Sequence, residues 1–293
     1  MAAFMEHGKG LTFSAMEAEY NVRARRPDYL THMVPDWERR SAAFRDAARC
    51  RIDVAYGAHE DERLDFFPAQ NSENRPCLIY FHGGYWQRGD KSVHTFLAEP
   101  FVKNGVSFIS VNYSLCPSVR ISRITQQARQ AAAWVFLNSA QLNVAPDKIY
   151  VTGHSAGGHL VAMLMATDWL AFGRDLPQDL IKGGIPISGL YDLEPLRFTS
   201  INDGLRLTKE EVLAESPINH PPLTDALQLI ACGACETSEF HRQSDLYARA
   251  VSRAGRPIER YSVPGCDHFT ELNELATESS DFFGKALHLI TSK

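Results

Sequence analysis

The segment from Lys148 to Asp168 reads KIYVTGHSAGGHLVAMLMATD and predicts a buried strand, a sharp turn and a helix. Its centre, Gly153-His154-Ser155-Ala156-Gly157, has the form Gly-x-Ser-x-Gly. Small residues let the strand and the helix approach closely, while so tight a turn holds the serine in a strained backbone conformation. The helix N-terminus favours negative charge that develops beside the hydroxyl. In this strand–turn–helix context the motif predicts that Ser155 is a nucleophile.

Short apolar runs alternate with helical stretches on both sides of this segment. The predicted strands are Arg51–Ala55, Arg63–Phe67, Cys77–Phe81, Ser107–Val111, Lys148–Thr152, Gly184–Ile187, Leu227–Ala231 and Ile258–Val263. The predicted helices are Lys91–Asn104, Val119–Asn138, Ala156–Asp168, Glu239–Ala254 and His268–Thr291. Such alternation is typical of a mostly parallel sheet with helices on both faces. The first two strands are expected to form an antiparallel edge ribbon. Together with the serine turn, the pattern predicts an α/β-hydrolase fold.

We expect residues 1–293 to form a single domain. Residues 1–50 are predicted to be helical and polar, with helices at Met16–Arg26 and Trp37–Ala48 separated at Pro27 and Pro35. Residues 191–224 interrupt the strand–helix alternation with prolines and one short helix near residues 208–214. An insertion there would lie above the carboxyl ends of the strands, where such sheets bind ligands. It is interpreted as a small cap, with a surface excursion of no functional role as the alternative.

Composition excludes some classes of partner. The 293-residue chain has a formal net charge of −5, so it has no basic excess of the kind that nucleic acid attracts. No apolar run is long enough to span a bilayer, and Met1–Asn21 has no pattern of a secretory signal. A cytoplasmic location is therefore the default expectation, and a homodimer is left open.

The loop His82-Gly83-Gly84-Tyr85-Trp86 directly follows the predicted strand Cys77–Phe81. Its glycines would allow backbone N–H groups to turn toward the negative oxygen of a tetrahedral intermediate. The N–H of Ala156, immediately after the serine, is expected to be a second donor. Tyr85 and Trp86 would supply an aromatic wall for an aryl substrate. Both rings could equally hold the loop by packing, and the sequence favours neither interpretation.

The base and its acid partner are expected late in the chain. In this fold the base follows the last strand, and His268 lies between Ile258–Val263 and the predicted C-terminal helix. The acid is expected after Leu227–Ala231, where a carboxylate of Glu236 would fix the tautomer of His268 and stabilise its imidazolium form. Glu239 is the alternative, although it lies at a helix start that it could simply cap.

Six cysteines in a chain of this length do not form a disulfide framework. Cys232 and Cys235 have the Cys-x-x-Cys spacing of redox and metal sites, but no second Cys or His pair accompanies them at zinc spacing. We interpret them as two thiols near the site, and the sequence assigns no role to Cys232, Cys235 or Cys266. No metal is expected.

Several motifs resemble the kynurenine formamidases (arylformamidases) and their close bacterial esterase relatives. They are His82-Gly83-Gly84-Tyr85-Trp86, Gly153-His154-Ser155-Ala156-Gly157-Gly158-His159-Leu160, Glu239-Phe240-His241-Arg242-Gln243-Ser244, Tyr191-Asp192-Leu193-Glu194-Pro195-Leu196 and Glu19-Tyr20-Asn21-Val22-Arg23. The Gly-x-Ser-x-Gly turn is shared by the whole superfamily, whereas the first and third motifs are far more specific. The resemblance extends over nearly the whole chain.

The resemblance implies hydrolysis of N-formyl-L-kynurenine to L-kynurenine and formate, without a cofactor. It also implies a triad of Ser155, Glu236 and His268 and an oxyanion hole formed by Gly83, Gly84, Tyr85 and Ala156. The usual acid of the family is Asp, so Glu236 departs from the pattern by one methylene, which makes a shifted substrate range plausible. The alternatives are a broad carboxylesterase, or a carbamate or aryl-amide hydrolase, with the same residues. A binding module that has lost catalysis would usually lack a triad member.

Overall fold

The computed structural model describes residues 12–70 and 75–292, and its centre is one eight-stranded sheet. The strands are β1 (Arg51–Ala55), β2 (Arg63–Phe67), β3 (Arg75–Phe81), β4 (Ser107–Val111), β5 (Val144–His154), β6 (Gly183–Ile187), β7 (Leu227–Gly233) and β8 (Ile258–Val263). Their order in the sheet is β1-β2-β4-β3-β5-β6-β7-β8. β1 pairs with β2, and β2 with β4, in antiparallel orientation, and the remaining neighbours are parallel.

Helices cover both faces of the sheet and fill the connections. The α-helices are α1 (Phe13–Tyr20), α2 (Val34–Ala47), α3 (Ala98–Lys103), α4 (Ile121–Leu137), α5 (Ser139–Leu142), α6 (Ala156–Met165), α7 (Trp169–Phe172), α8 (Asn202–Leu205), α9 (Lys209–Glu215), α10 (Ser238–Arg253), α11 (Glu271–Leu275) and α12 (Asp281–Thr291). Four 3₁₀ turns and one π turn complete them: Val22–Arg25, Lys91–Leu97, Glu194–Phe198, Pro217–Asn219 and Tyr29–Met33. No helix within the described ranges is both long and apolar enough to cross a membrane.

The predicted α/β-hydrolase fold and the antiparallel edge ribbon are confirmed, and each predicted strand lies within an observed one. Several helix predictions were wrong in their bounds: Met16–Arg26 is divided into α1 and a 3₁₀ turn, and Lys91–Asn104 is divided into a 3₁₀ turn and α3. The single C-terminal helix is divided into α11 and α12, because the Ser280 hydroxyl accepts from Phe283 N at 3.0 Å and caps a new helix. Pro35 lies within the first turn of α2 and not before the helix. A proline is tolerated in the first turn because the N–H groups there have no acceptor within the helix. Residues 1–11 of the predicted N-terminal segment lie outside the described residues.

The sheet positions the functional loops by burying its central strands on both faces. Every residue of β4 and β6 is buried, as the apolar runs without alternation predicted. Parallel strands end at the same edge of the sheet, so the loops that follow β3, β5, β7 and β8 all open on one side. The predicted nucleophile, oxyanion loop, acid and base follow these four strands.

The turn between β5 and α6 has no room for side chains at its glycines. A Cβ atom on Gly157 would lie 1.9 Å from the carbonyl oxygen of Phe81, the last residue of β3. Helix α6 therefore packs directly against the backbone of the neighbouring strand. This contact fixes the height of Ser155 above the sheet.

We predict that Gly157→Ala lowers the free energy of unfolding by about 3 kcal/mol, because the new methyl overlaps the Phe81 backbone. The control is Gly284→Ala in the exposed part of α12, where a Cβ meets no atom within 4 Å. That change should raise stability by about 0.5–1 kcal/mol through helix propensity. Urea unfolding of both variants measures the difference. A Gly157→Ala protein as stable as the wild type would contradict the close packing.

Candidate active site

Ser155 occupies a strained turn at the mouth of the site. Its backbone has φ 56° and ψ −115°, a region that side-chain-bearing residues rarely adopt. The conformation is held from both sides, because Ser155 N donates to the Ile187 carbonyl at 2.8 Å and Ser155 O accepts from His159 N at 3.1 Å. The residue is 2% exposed and lines the main cavity of the molecule. The strained turn predicted from Gly-x-Ser-x-Gly is present.

The predicted base and acid contact each other. His268 Nδ1 lies 2.7 Å from Glu236 Oε1, and both side chains are buried, with exposed fractions of 5% and 1%. The two loops that carry them are joined by backbone hydrogen bonds. Cys235 N donates to the Cys266 carbonyl at 2.8 Å, and Ala234 N donates to the Val263 carbonyl at 2.9 Å. The carboxylate therefore approaches the ring from a loop that is itself anchored to the base loop.

Glu239, the alternative acid, has other partners. It accepts a hydrogen bond from the Tyr20 hydroxyl at 2.8 Å and forms an ion pair with Arg242, also at 2.8 Å. Its side chain thus fixes α1 and the start of α10, away from His268. Of the two carboxylates considered from the sequence, Glu236 is the one that contacts the imidazole.

Ser155 and His268 line the same cavity, but their side chains are not hydrogen-bonded to each other in the described part of the chain. Nucleophile and base are often loosely aligned before substrate binds and tighten in the reacting complex. The His268 ring is held by aromatic neighbours, with ring centroids 4.4 Å from Phe240 and 4.6 Å from His154. Its position is therefore set by packing as well as by Glu236.

The predicted oxyanion loop passes directly beside the serine. A Cβ atom on Gly83 would lie 3.2 Å from the Ser155 Cβ, closer than an ordinary van der Waals contact, so a glycine here favours the close approach. The backbone N–H groups of Gly83, Gly84, Tyr85 and Ala156 donate to no acceptor within residues 12–70 and 75–292. Donors without partners at this position are what an oxyanion requires.

The two aromatic residues of the loop differ in their surroundings. Tyr85 lines the cavity, and its hydroxyl donates to the Tyr20 carbonyl oxygen at 2.6 Å. Trp86 is fully buried, does not line the cavity and packs edge-on against His159 with centroids 4.9 Å apart. The prediction that Trp86 contacts substrate was wrong, because the loop turns its indole into the core. The sequence had left packing open for both rings.

Sequence reasoning missed one wall of the cavity. The cavity has a volume of about 320 Å³, and a third of its lining residues come from the N-terminal segment, here residues 12–47: Asn21, Val22, Arg23, Tyr29, Leu30, Val34 and Trp37. The predicted cap at 191–224 contributes only Ser200 and Ile201. Tyr20 anchors the segment, since its buried hydroxyl donates to Glu239 and accepts from Gln243 Nε2 at 2.8 Å. The Glu19–Arg23 similarity was the one sequence signal that pointed there.

Two further titratable groups lie beneath His268. Burial raises the pKa of the Glu271 carboxyl well above its ordinary value of 4.5, and the charge of Glu236 raises it further. Burial also lowers the pKa of His154 well below 6.5, and the neighbouring His268 adds to this shift. His154 Nε2 lies 3.4 Å from Glu271 Oε1. Burial therefore favours the neutral form of both groups.

His154, His268 and Glu271 are also the described residues whose ligand atoms are close enough to hold a metal, within 4.8 Å of one another. However, His154 Nε2 lies 2.6 Å from the His268 carbonyl oxygen and so carries a proton that it donates. His268 Nδ1 is engaged by Glu236. These hydrogen bonds compete with coordination, and we assign no metal to the cluster.

The six cysteines are free thiols, so Cys232 and Cys235 form no disulfide. Cys232 is buried, and burial raises its pKa to about 12, whereas Cys235 is exposed. Cys232 Sγ lies 3.8 Å from His241 Nδ1.

The fold and this site define a hydrolase of the α/β-hydrolase class. The BD-FAE family model matches residues 64–178. The kynurenine formamidase of Danio rerio is 34% identical, with 80% of each chain covered, and that of Salmo salar is 32% identical, with 88% of each covered. A crystal structure from Silicibacter sp. tm1040, provisionally assigned as a thioesterase, superposes with a TM-score of 0.79 at 29% identity and covers 97% of this chain and 100% of that one. The chain belongs to the kynurenine formamidase family.

We predict that Glu271→Gln gains stability relative to the wild type as the pH rises. A buried carboxyl with a raised pKa holds a proton that the unfolded chain releases, so wild-type stability falls above the ordinary carboxyl pKa of 4.5. The amide of Gln has no proton to release, so the variant avoids this loss of stability, which amounts to up to about 1.4 kcal/mol per pH unit. Urea unfolding from pH 5 to 8 measures it, with half-exposed Glu278→Gln as the control. Parallel curves for Glu271→Gln and wild type would contradict the raised pKa.

Proposed function

We propose that this protein hydrolyses N-formyl-L-kynurenine to L-kynurenine and formate, with Ser155, His268 and Glu236 as the catalytic triad. Family membership supports the substrate, since the relatives from Danio rerio and Salmo salar are kynurenine formamidases. The observation that carries the mechanism is the 2.7 Å contact between His268 Nδ1 and Glu236 Oε1, on the wall of the cavity that contains Ser155. We expect the substrate to be a small molecule. Acyl transfer by these groups needs no metal or organic cofactor.

In the proposed acylation step, Glu236 accepts a hydrogen bond from the Nδ1–H group of His268. The proton stays on Nδ1, so Nε2 is unprotonated and can act as the base. Nε2 takes the Ser155 proton while Oγ bonds to the formyl carbon. The carbonyl oxygen becomes an anion, which receives hydrogen bonds from the loop N–H groups and Ala156, each worth about 3 kcal/mol. The C–N bond then breaks, and the imidazolium gives its proton to the departing aryl amine.

In deacylation, a water molecule replaces the amine. His268 takes one proton of the water, and the hydroxide attacks the formyl ester on Ser155. The same donors stabilise the second oxyanion. Collapse of this intermediate returns the proton from His268 to Ser155 Oγ and releases formic acid, which loses its remaining acidic proton to solvent and becomes formate. One water is consumed for each amide cleaved, and the enzyme returns to its starting state.

The alternative is a broad carboxylesterase that uses the same residues on short acyl esters. The relative assigned as a thioesterase is consistent with acyl transfer from other leaving groups. Comparison of kcat/KM for N-formyl-L-kynurenine with that for p-nitrophenyl acetate separates the two functions. A preference for the ester by orders of magnitude would replace the formamidase proposal. A cytoplasmic location, a single domain and a homodimer stay predictions.

We predict that Glu236→Gln lowers kcat by about 10³–10⁴-fold with little change in KM, because an amide cannot stabilise the imidazolium and favours the wrong tautomer. The matched control is Glu239→Gln, which neutralises the neighbouring carboxylate that contacts Tyr20 and Arg242. It should lower kcat far less. Steady-state kinetics on N-formyl-L-kynurenine, with Ser155→Ala as the baseline, measures both. If Glu239→Gln were the more damaging change, the acid would be misassigned.

A further inference from the structure

The cavity beside Ser155 carries an excess of positive charge. Its lining includes the arginines Arg23 and Arg88 and no Asp or Glu, although the whole chain has 35 acidic residues against 30 Lys and Arg. Two of the lining histidines do not add to this charge. Burial lowers the pKa of His94 to about 3, and it lowers that of His154 well below the ordinary value. The fixed charge on the wall is therefore that of the two arginines.

Arg23 has no counter-charge within the described residues. It lies in the 3₁₀ turn Val22–Arg25 and makes no ion pair or side-chain hydrogen bond there, whereas Arg26, three residues later, pairs with both Asp28 and Asp267. A guanidinium has five N–H donors in a fixed fork, and those of an arginine without a protein partner stay available to a ligand. A half-buried arginine left unpaired on a cavity wall points to a ligand that supplies the anion.

The carboxylates close to this wall are already engaged. Burial raises the pKa of Tyr85, and the charges of Glu236 and Glu17 raise it further, while Arg23 lowers it. Glu236 contacts His268, and Glu17 accepts hydrogen bonds from Ser200. Neither carboxylate is therefore paired with Arg23, which lines the cavity without a hydrogen bond or ion pair of its own among the described residues.

From this geometry we infer that Arg23 binds a carboxylate of the substrate and selects for aryl amides that carry this carboxylate over those in which it is masked. The inference rests on the proposed function, because N-formyl-L-kynurenine carries an α-carboxylate on the side chain of its aryl ring. A guanidinium matches a carboxylate with two parallel hydrogen bonds. The carboxylate lies remote from the formyl group, so the contact is equal in the ground and transition states. It acts on KM and leaves kcat unchanged.

Two substrates that differ only in this charge test the inference: N-formyl-L-kynurenine and its α-carboxamide. In the wild type, KM for the carboxamide should exceed that for the carboxylate by about 10–100-fold. Arg23→Met should raise KM for the carboxylate by a similar factor and leave the carboxamide unaffected. Arg23→Lys should retain part of the preference, since it keeps the charge but loses the fork.

The control is Arg25→Met, which removes the same charge from the same 3₁₀ turn at an exposed position that does not line this cavity but a second pocket beside Glu236 and His268. It should keep the full preference, and thermal unfolding verifies that each variant is folded. Equal KM values in the wild type, an equal loss on both substrates in Arg23→Met, or loss of the preference in Arg88→Met alone would overturn the assignment of Arg23. A wild type that hydrolyses neither formamide instead removes the proposed function, and the two failures are thus distinguishable.

Discussion

The hydrogen bond between His268 Nδ1 and Glu236 Oε1 is the interaction on which the rest of the site depends. It joins the loops that follow β7 and β8, and backbone hydrogen bonds between the same loops hold it in place. The contact is buried among aromatic rings, where the low dielectric strengthens an ionic hydrogen bond. Because the ring is fixed through Nδ1, its other nitrogen is left for the cavity that contains Ser155. The strained turn at Ser155 has a use only if this imidazole is in place.

Two buried groups near the His268 imidazole, Glu271 and His154, affect the charge around it. Burial raises the pKa of the Glu271 carboxyl, and the charge of Glu236 raises it further, so the protonated form of Glu271 is favoured. His154 stays neutral and donates a hydrogen bond to the His268 backbone. Glu236 contacts the imidazole directly, and in the proposed mechanism this contact stabilises the imidazolium that forms during acyl transfer.

The features that could be predicted from the sequence are those determined by residues close together in the chain. Apolar runs located the strands, and Gly-x-Ser-x-Gly located the turn, because both depend on neighbouring residues. Glu236 over Glu239 could be preferred from loop position alone, before any contact was known. The N-terminal wall could not be predicted in the same way, since it depends on pairs such as Tyr20 and Glu239, 219 residues apart. Trp86 was undecided for a similar reason: a positive φ of 54° turns its side chain into the core, and no neighbouring residue signals that conformation.

The central claim is that the Ser155 hydroxyl is activated as the nucleophile. Treatment with a fluorophosphonate, followed by digestion and peptide mass spectrometry, tests it most directly, because the reagent traps the activated oxygen covalently. The account predicts one adduct per chain, on the peptide that contains Ser155, with loss of activity in proportion to labelling. An adduct on another residue, or full hydrolytic activity in a protein whose Ser155 is unmodified by excess reagent, would contradict it.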